Sequence, residues 1–152
     1  LGTIFTEVRL KQVIEFRSLD TCNFGCICNG PSFFTGLIYG SIDETYEIIK
    51  NWRKEEVMQA YLNAPKLGLN ATLEGKKLID WARIFFDLSK KGLEKRNEVN
   101  KSGKNETIYL KHIEEIIESK KTRAEMLIEQ FNKTKNLNFL VNHDENFSYT
   151  GF

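Results

Sequence analysis

Glu7-Val8-Arg9-Leu10-Lys11-Gln12-Val13-Ile14-Glu15-Phe16-Arg17 governs what kind of fold this chain can build. Strand residues alternate faces with period two. Taken as one strand over 7–17, the run puts Glu7, Arg9, Lys11, Val13, Glu15 and Arg17 on one side. Val8, Leu10, Ile14 and Phe16 take the other, with Gln12 the polar interruption. A surface strand scatters its charges, whereas this one sets a carboxylate two residues before a guanidinium over an apolar underside. Such a strand suits the floor of an anionic ligand site. Glu15 and Arg17 stand ~7 Å apart along the backbone, from the rise of ~3.3 Å per residue, so they need not neutralise each other. The carboxylate is a hard oxygen donor suited to Mg2+, and the guanidinium is a planar fork suited to a carboxylate or phosphate. The same pattern also fits two solvated charges in a surface bridge worth about 0–1 kcal/mol.

Beyond the strand the pattern turns helical. Ser18 to Gly30 is rich in turn residues, and Pro31 opens a helix through about Tyr39, with Phe33, Phe34, Leu37 and Ile38 as its apolar side. Ser41-Ile42-Asp43-Glu44 reads as a capping box for a helix to about Trp52 whose buried face holds Tyr46 and Ile49, with Ile42 and Trp52 beside them. A third helix, Lys54 to Asn63, carries Val57, Tyr61 and Leu62 and stops before Pro65, because the residue before proline avoids the helical region. Leu78, Trp81, Ala82, Phe85 and Leu88, widened by Ile79, Phe86 and Leu93, give the longest helical stripe. This helix is the expected spine, with Trp81 and Phe85 in the core. Asn97 to Asn105 reads as an exposed loop, followed by helices over 107–119 and from Thr122, where Thr-Arg-Ala-Glu is a second capping box, to about Lys133. Leu137, Phe139 and Leu140 are expected to dock an extended tail. The fold class is α+β, mostly α-helical with an N-terminal active-site strand: strand 7–17, helical flank 31–133, tail 134–152. A lone charged strand needs neighbours for its edges, so residues 1–152 are expected to be the C-terminal portion of a longer polypeptide.

Composition narrows the function classes. A chain of 152 residues, 41% hydrophobic, can bury one sizeable core, and its net charge of +1 provides no field to recruit nucleic acid. The apolar run Ile27 to Tyr39 is broken by Asn29, Gly30 and Pro31 and falls short of the ~20 residues of a membrane helix. Neither nucleic acid nor membrane is an expected partner. Cys22, Cys26 and Cys28, odd in number and crowded together, suit no paired disulfide framework, which places the chain in a reducing compartment, the cytosol. Their spacing is not a common zinc pattern, even with His112 or His143 as fourth ligand. Asn-x-Ser/Thr triplets at Asn70, Asn105, Asn132 and Asn146 reflect a chain rich in Asn and Lys.

Thr3-Ile4-Phe5-Thr6-Glu7-Val8-Arg9-Leu10-Lys11, running into Ile14-Glu15-Phe16-Arg17-Ser18-Leu19-Asp20, resembles the segment S-T-x-F-P-E-V-R-L-K, then x-L-E-x-R-x-x-D, of plant-type and proteobacterial glutamate–cysteine ligases. Cys28, Pro31, Phe33, Gly36, Leu37 and Tyr39 match the family stretch C-A-L-P-A-x-W-x-G-L-L-Y. Lys91-Gly92-Leu93-Glu94-Lys95-Arg96 resembles A-x-x-G-L-x-R-R, and Thr122-Arg123-Ala124-Glu125 resembles T-P-A-E. The likeness covers nearly the whole chain in order. Thr6 departs from the family proline, and Gly25 and Cys26 stand where arginines often occur.

That resemblance implies a catalytic domain like that of the glutamine synthetase superfamily, a curved antiparallel sheet holding Mg2+ between ATP and glutamate. It implies ATP-dependent joining of L-glutamate to L-cysteine through a γ-glutamyl phosphate, the first step of glutathione biosynthesis. By the same resemblance Glu15 matches a metal ligand and Arg17 a residue that binds substrate or the transferring phosphoryl group. Arg9 and Lys11 match the upstream basic positions and are phosphate or substrate contacts. The remaining ligands and the nucleotide pocket come from the N-terminal remainder, so the isolated chain is expected to be inactive. A carboxylate–amine ligase with another acceptor, and a non-catalytic helical module docking by strand addition, remain open as alternatives.

Overall fold

The stretch 7–17 forms a hairpin rather than one strand. The computed structural model describes residues 7–19 and 24–138 of the chain. Strand β1, Val8–Leu10, pairs antiparallel with β2, Ile14–Phe16, in the register Val8↔Phe16, Arg9↔Glu15 and Leu10↔Ile14. The turn is centred on Gln12, so each pair joins residues of the same parity. The odd-numbered side chains therefore still share a face, although the chain reverses between them. The reversal is favoured by mirror-related chemistry: Arg9 meets Glu15, while Val8 meets Phe16 and Leu10 meets Ile14, the kinds of cross-strand pair that stabilise a sheet.

A 3-10 turn at Phe24–Cys26 leads to α1, Asn29–Thr35, which continues as a π turn over Gly36–Gly40. This helix starts two residues before Pro31, which sits inside its first turn, and it ends at Gly40. Helix α2 spans Ile42–Ile49 and α3 spans Lys54–Leu67. Pro65 lies inside α3, contrary to the expected stop at Asn63. Proline there removes a single donor, in the last turn, where the helix can bear it. Gly68, at φ +53°, then ends the helix by donating its N–H to Ala64.

A second hairpin, β3 (Thr72–Leu73) and β4 (Lys76–Lys77), was not expected. Its turn residues Glu74 and Gly75 both have positive φ, the backbone a two-residue hairpin requires. Arg53 docks α3 onto it, giving its backbone N–H (2.8 Å) and Nε (3.1 Å) to Glu74 Oε1.

Helix α4, Leu78–Arg96, is the spine. Ile79, Phe86 and Leu93 recur every seven residues, two helical turns, and are buried with Leu110 and Ile117. Phe33, Leu69, Ala82 and Ile113 pack around them. Trp81 and Phe85 lie beside this core rather than in it, half-buried, with edge-on contacts to Trp52. Asn97 closes α4 in the left-handed conformation, and the loop after it is tied by Asn100, whose Oδ1 accepts from the N–H groups of Ser102 and Lys104. Asn105 Oδ1 accepts from Thr107, so that triplet caps the 3-10 turn Glu106–Leu110. Helix α5, Lys111–Ser119, and α6, Arg123–Thr134, complete the described body.

A close backbone crossing joins two of the stretches that carry the family resemblance. A Cβ on Gly36 would strike the backbone of Ser89, one on Gly40 would strike Gly92, and one on Gly92 would strike the Gly36 carbonyl. Only glycine lets the backbones approach this far. Ser89 Oγ donates to Phe33 O at 2.9 Å, and Ser41 Oγ donates to Leu88 O at 3.0 Å.

Faces were harder to foresee than elements. Ile42, Tyr46 and Ile49, expected to be buried, are exposed on α2, and Val57, Tyr61 and Leu62 are exposed on α3. Ser41 is buried against α4 and orients α2, while α3 turns its small residues Ala60 and Ala64 inward. Leu137 is also exposed rather than docked, and Phe139 and Leu140 lie outside the described residues.

Candidate functional site

The charged face of the β1–β2 hairpin gathers the residues singled out in the sequence. Arg9 lies directly across from Glu15, and its Nε and Nη2 both reach Glu15 Oε2 at 2.7 Å. Lys11 Nζ approaches the same oxygen at 3.8 Å from the turn. Glu15 is thus engaged by Arg9 and Lys11 on this face, a geometry that a single extended strand would not have allowed. The Arg9 hydrogen bond, the largest influence, holds the Glu15 carboxyl below the usual carboxylate range against the opposing effect of desolvation, and the charges of Arg9, Lys11 and Arg17 add to it. Glu15 is therefore ionised at neutral pH. The backbone N–H of Arg17 donates to Glu7 O at 2.9 Å, extending the ladder and aligning the residue with the same face.

Two features missed in the sequence join the hairpin to the helices. Tyr61 donates its hydroxyl to Glu7 Oε1 at 3.3 Å, across 54 positions of sequence. On the opposite face Phe16 stacks on Phe34, ring centroids 4.2 Å apart and planes 13° from parallel. The pseudo-palindromic charge order around Gln12 was a signal for the hairpin, but no local pattern announces Tyr61.

Mg2+ takes oxygen ligands in near-octahedral geometry and keeps several waters. The donor chemistry of Glu15 fits such an ion, but one carboxylate is not a coordination shell, and among the described residues no three His, Cys, Asp or Glu side chains gather to hold a metal. A groove of about 480 Å³ lined by Glu47, Asn51, Trp52, Lys76 and Trp81 contains none of the β1–β2 residues. It is separate from the charged face.

The cysteines depart from expectation. Cys26 is disulfide-bonded, which contradicts the reading of three unpaired thiols, while Cys28 is free and half-buried just before α1.

A family model for glutamate-cysteine ligase family 2 matches residues 1–143. The chain belongs to this family. It is 33% identical over 133 residues to the chloroplastic glutamate–cysteine ligase of Solanum lycopersicum, covering 86% of this chain and 24% of that protein. Chloroplastic glutamate–cysteine ligase A of Oryza sativa subsp. indica is 33% identical over 130 residues, 84% of this chain and 25% of its own length. The Arabidopsis thaliana chloroplastic enzyme is 31% identical over 134 residues, 87% of this chain and 24% of its own length. The chain thus spans about a quarter of the length of the curated relatives it matches. These relatives are named chloroplastic, which overturns the cytosolic assignment. Cysteine counting bears on redox poise and does not identify an organelle.

Among the family stretches, Gly36 and Gly92 are explained by the helix crossing. Thr122 and Glu125 form the expected capping box: Thr122 Oγ1 accepts from the Glu125 N–H at 3.2 Å, and Glu125 Oε2 accepts from the Thr122 N–H at 2.7 Å. These positions hold the helical body together.

Proposed function

We propose that residues 1–152 form the C-terminal portion of a single glutamate–cysteine ligase catalytic domain and that the hairpin contributes one wall of its active site. The domain is of glutamine synthetase type, with a curved antiparallel sheet that the hairpin extends. One observation carries this reading: Arg9, Lys11 and Glu15 meet on one hairpin face of a chain whose family is defined by ligation of glutamate to cysteine.

The reaction begins when a γ-carboxylate oxygen of L-glutamate attacks the terminal phosphorus of ATP, releasing ADP and leaving γ-glutamyl phosphate. The amine of L-cysteine then attacks the acyl carbon, phosphate departs, and the nitrogen loses a proton to give γ-glutamylcysteine. Little covalent work falls to the protein, so its contribution is positioning and electrostatic stabilisation. Arg17 binds the substrate carboxylate or the transferring phosphoryl group through its planar fork. Arg9 and Lys11 hold Glu15 ionised and fixed in orientation, and they add positive potential where phosphate oxygens gather. Glu15 serves as one metal ligand, with the other donors supplied from outside the described residues. Mg2+, when bound, neutralises charge on the phosphate oxygens.

The test is ADP release by the full-length protein with ATP, Mg2+, glutamate and cysteine, repeated with cysteine replaced by other amines. Turnover that requires glutamate and prefers cysteine supports the reading. Turnover with a different amine reassigns the acceptor within the same chemistry. No ADP release under any pairing, in a folded protein, overturns it and favours a non-catalytic docking module.

A further inference from the structure

The charged hairpin is held on the helical body by a relay of aromatic rings. Phe33 packs against the core of Ile79, Phe86 and Leu93, and its carbonyl accepts from Ser89 Oγ. Phe34, the next residue, meets Phe33 edge-on with centroids 5.6 Å apart. The Phe34 ring in turn stacks on Phe16 at 4.2 Å. Phe16 lies between Glu15 and Arg17, so its ring points to the apolar side while its neighbours present the charged side. Val8, Leu10 and Ile14, the other apolar side chains of that face, are exposed, Leu10 at 81%. The stack is therefore the apolar anchor of β2, and a displacement of Phe16 moves both flanking residues together.

We propose that Phe34 is a positioning residue of the ligase site, acting through Phe16 to set where Glu15 and Arg17 stand. This inference rests on the ligase reading above. Reacting groups must be held within a fraction of an ångström, and a misplacement of about 1 Å from a change remote from the chemistry can lower a rate by about 10²-fold.

The experiment is a double-mutant cycle in the full-length protein, measuring kcat and KM for glutamate by ADP release in wild type, F16L, F34L and F16L/F34L, with F34W as the conservative variant. The expected result is a fall in kcat of at least about tenfold in each single variant, with KM for glutamate changed less than about twofold. The double variant should be no slower than the slower single variant, because both changes break one contact, and F34W should restore kcat to within about twofold of wild type. F16L, whose side chain is half-buried and outside the core, keeps the cycle informative should F34L fail to fold. A kcat for F16L within twofold of wild type overturns the inference, as does a double variant whose loss is the product of the two single losses. Wild-type protein without glutamate-dependent ADP release overturns the ligase reading itself, whereas an active wild type with unaffected variants overturns only the positioning role.

Discussion

At the scale of single residues, Glu15 is held by charge it could not have met on one continuous strand. Arg9 reaches it only because the chain reverses at Lys11 to Val13, so the ion pair is a product of the turn. Glu15, Glu74 and Glu125 all have carboxyls held below the ordinary glutamate value of 4.5 by hydrogen bonds in the fold. A depressed folded value stabilises the fold above the unfolded value, and that stabilisation is lost as pH falls through the folded value. Thermal unfolding of the chain is therefore predicted to shift downward on acidification below 4.5, less steeply in E125Q than in wild type. Equal slopes would show that Glu125 contributes nothing to the acid sensitivity. The residue types of the site were legible in the sequence, and so was their common face, because the even register preserves parity. Who pairs with whom was not, since cross-strand contact depends on where the chain turns and no glycine or proline marks this turn.

Elements tell the same four-residue pattern two ways. Thr122 and Glu125 close a reciprocal capping box, as their spacing implies. Ser41 and Glu44 do not: Ser41 gives its hydroxyl to Leu88 O across the helix crossing, and Glu44 accepts from Lys91 Nζ at 3.2 Å. A local pattern predicts a cap only while no tertiary partner competes for the hydroxyl. Substituting Thr122 by alanine is predicted to destabilise the chain by about 1 kcal/mol through loss of the α6 cap, read from urea unfolding. S41A is predicted to cost about as much for a different reason, loss of the hydroxyl's hydrogen bond to Leu88 O across the helix crossing, read from the same urea unfolding. The heavier change is G92A, whose methyl would fall on the Gly36 carbonyl and against Ser41 Oγ. It is predicted to destabilise by about 1–3 kcal/mol or more, with a falling unfolding midpoint. A neutral G92A would mean that the crossing is looser than described. The spine was legible from apolar residues recurring at spacings of three and four, whereas the outward turn of α2 and α3 was not, because apolar periodicity says that a helix has a face without saying what that face meets.

For the molecule as a whole, the hairpin is the part least explained by its own chain. A two-stranded hairpin is marginal in water, and most of the apolar face of this one is exposed among the described residues. That exposure fits a segment built to join a larger sheet, and the chain matches about a quarter of each relative. The 152-residue chain alone is predicted to release no ADP and to melt at the same temperature with and without ATP and Mg2+, whereas the full-length protein should be stabilised by them, since a ligand that binds only the folded state raises its melting temperature. A shift in the isolated chain would show that the nucleotide pocket lies within it. The most direct measurement is kcat for glutamate- and cysteine-dependent ADP release by full-length E15Q and R17A beside wild type. Loss of about 10²-fold or more in each, with folding intact, is the predicted result for groups that face the transferring phosphoryl. Near-normal turnover in either would contradict the role given to that residue, and in both would remove the hairpin from the active site.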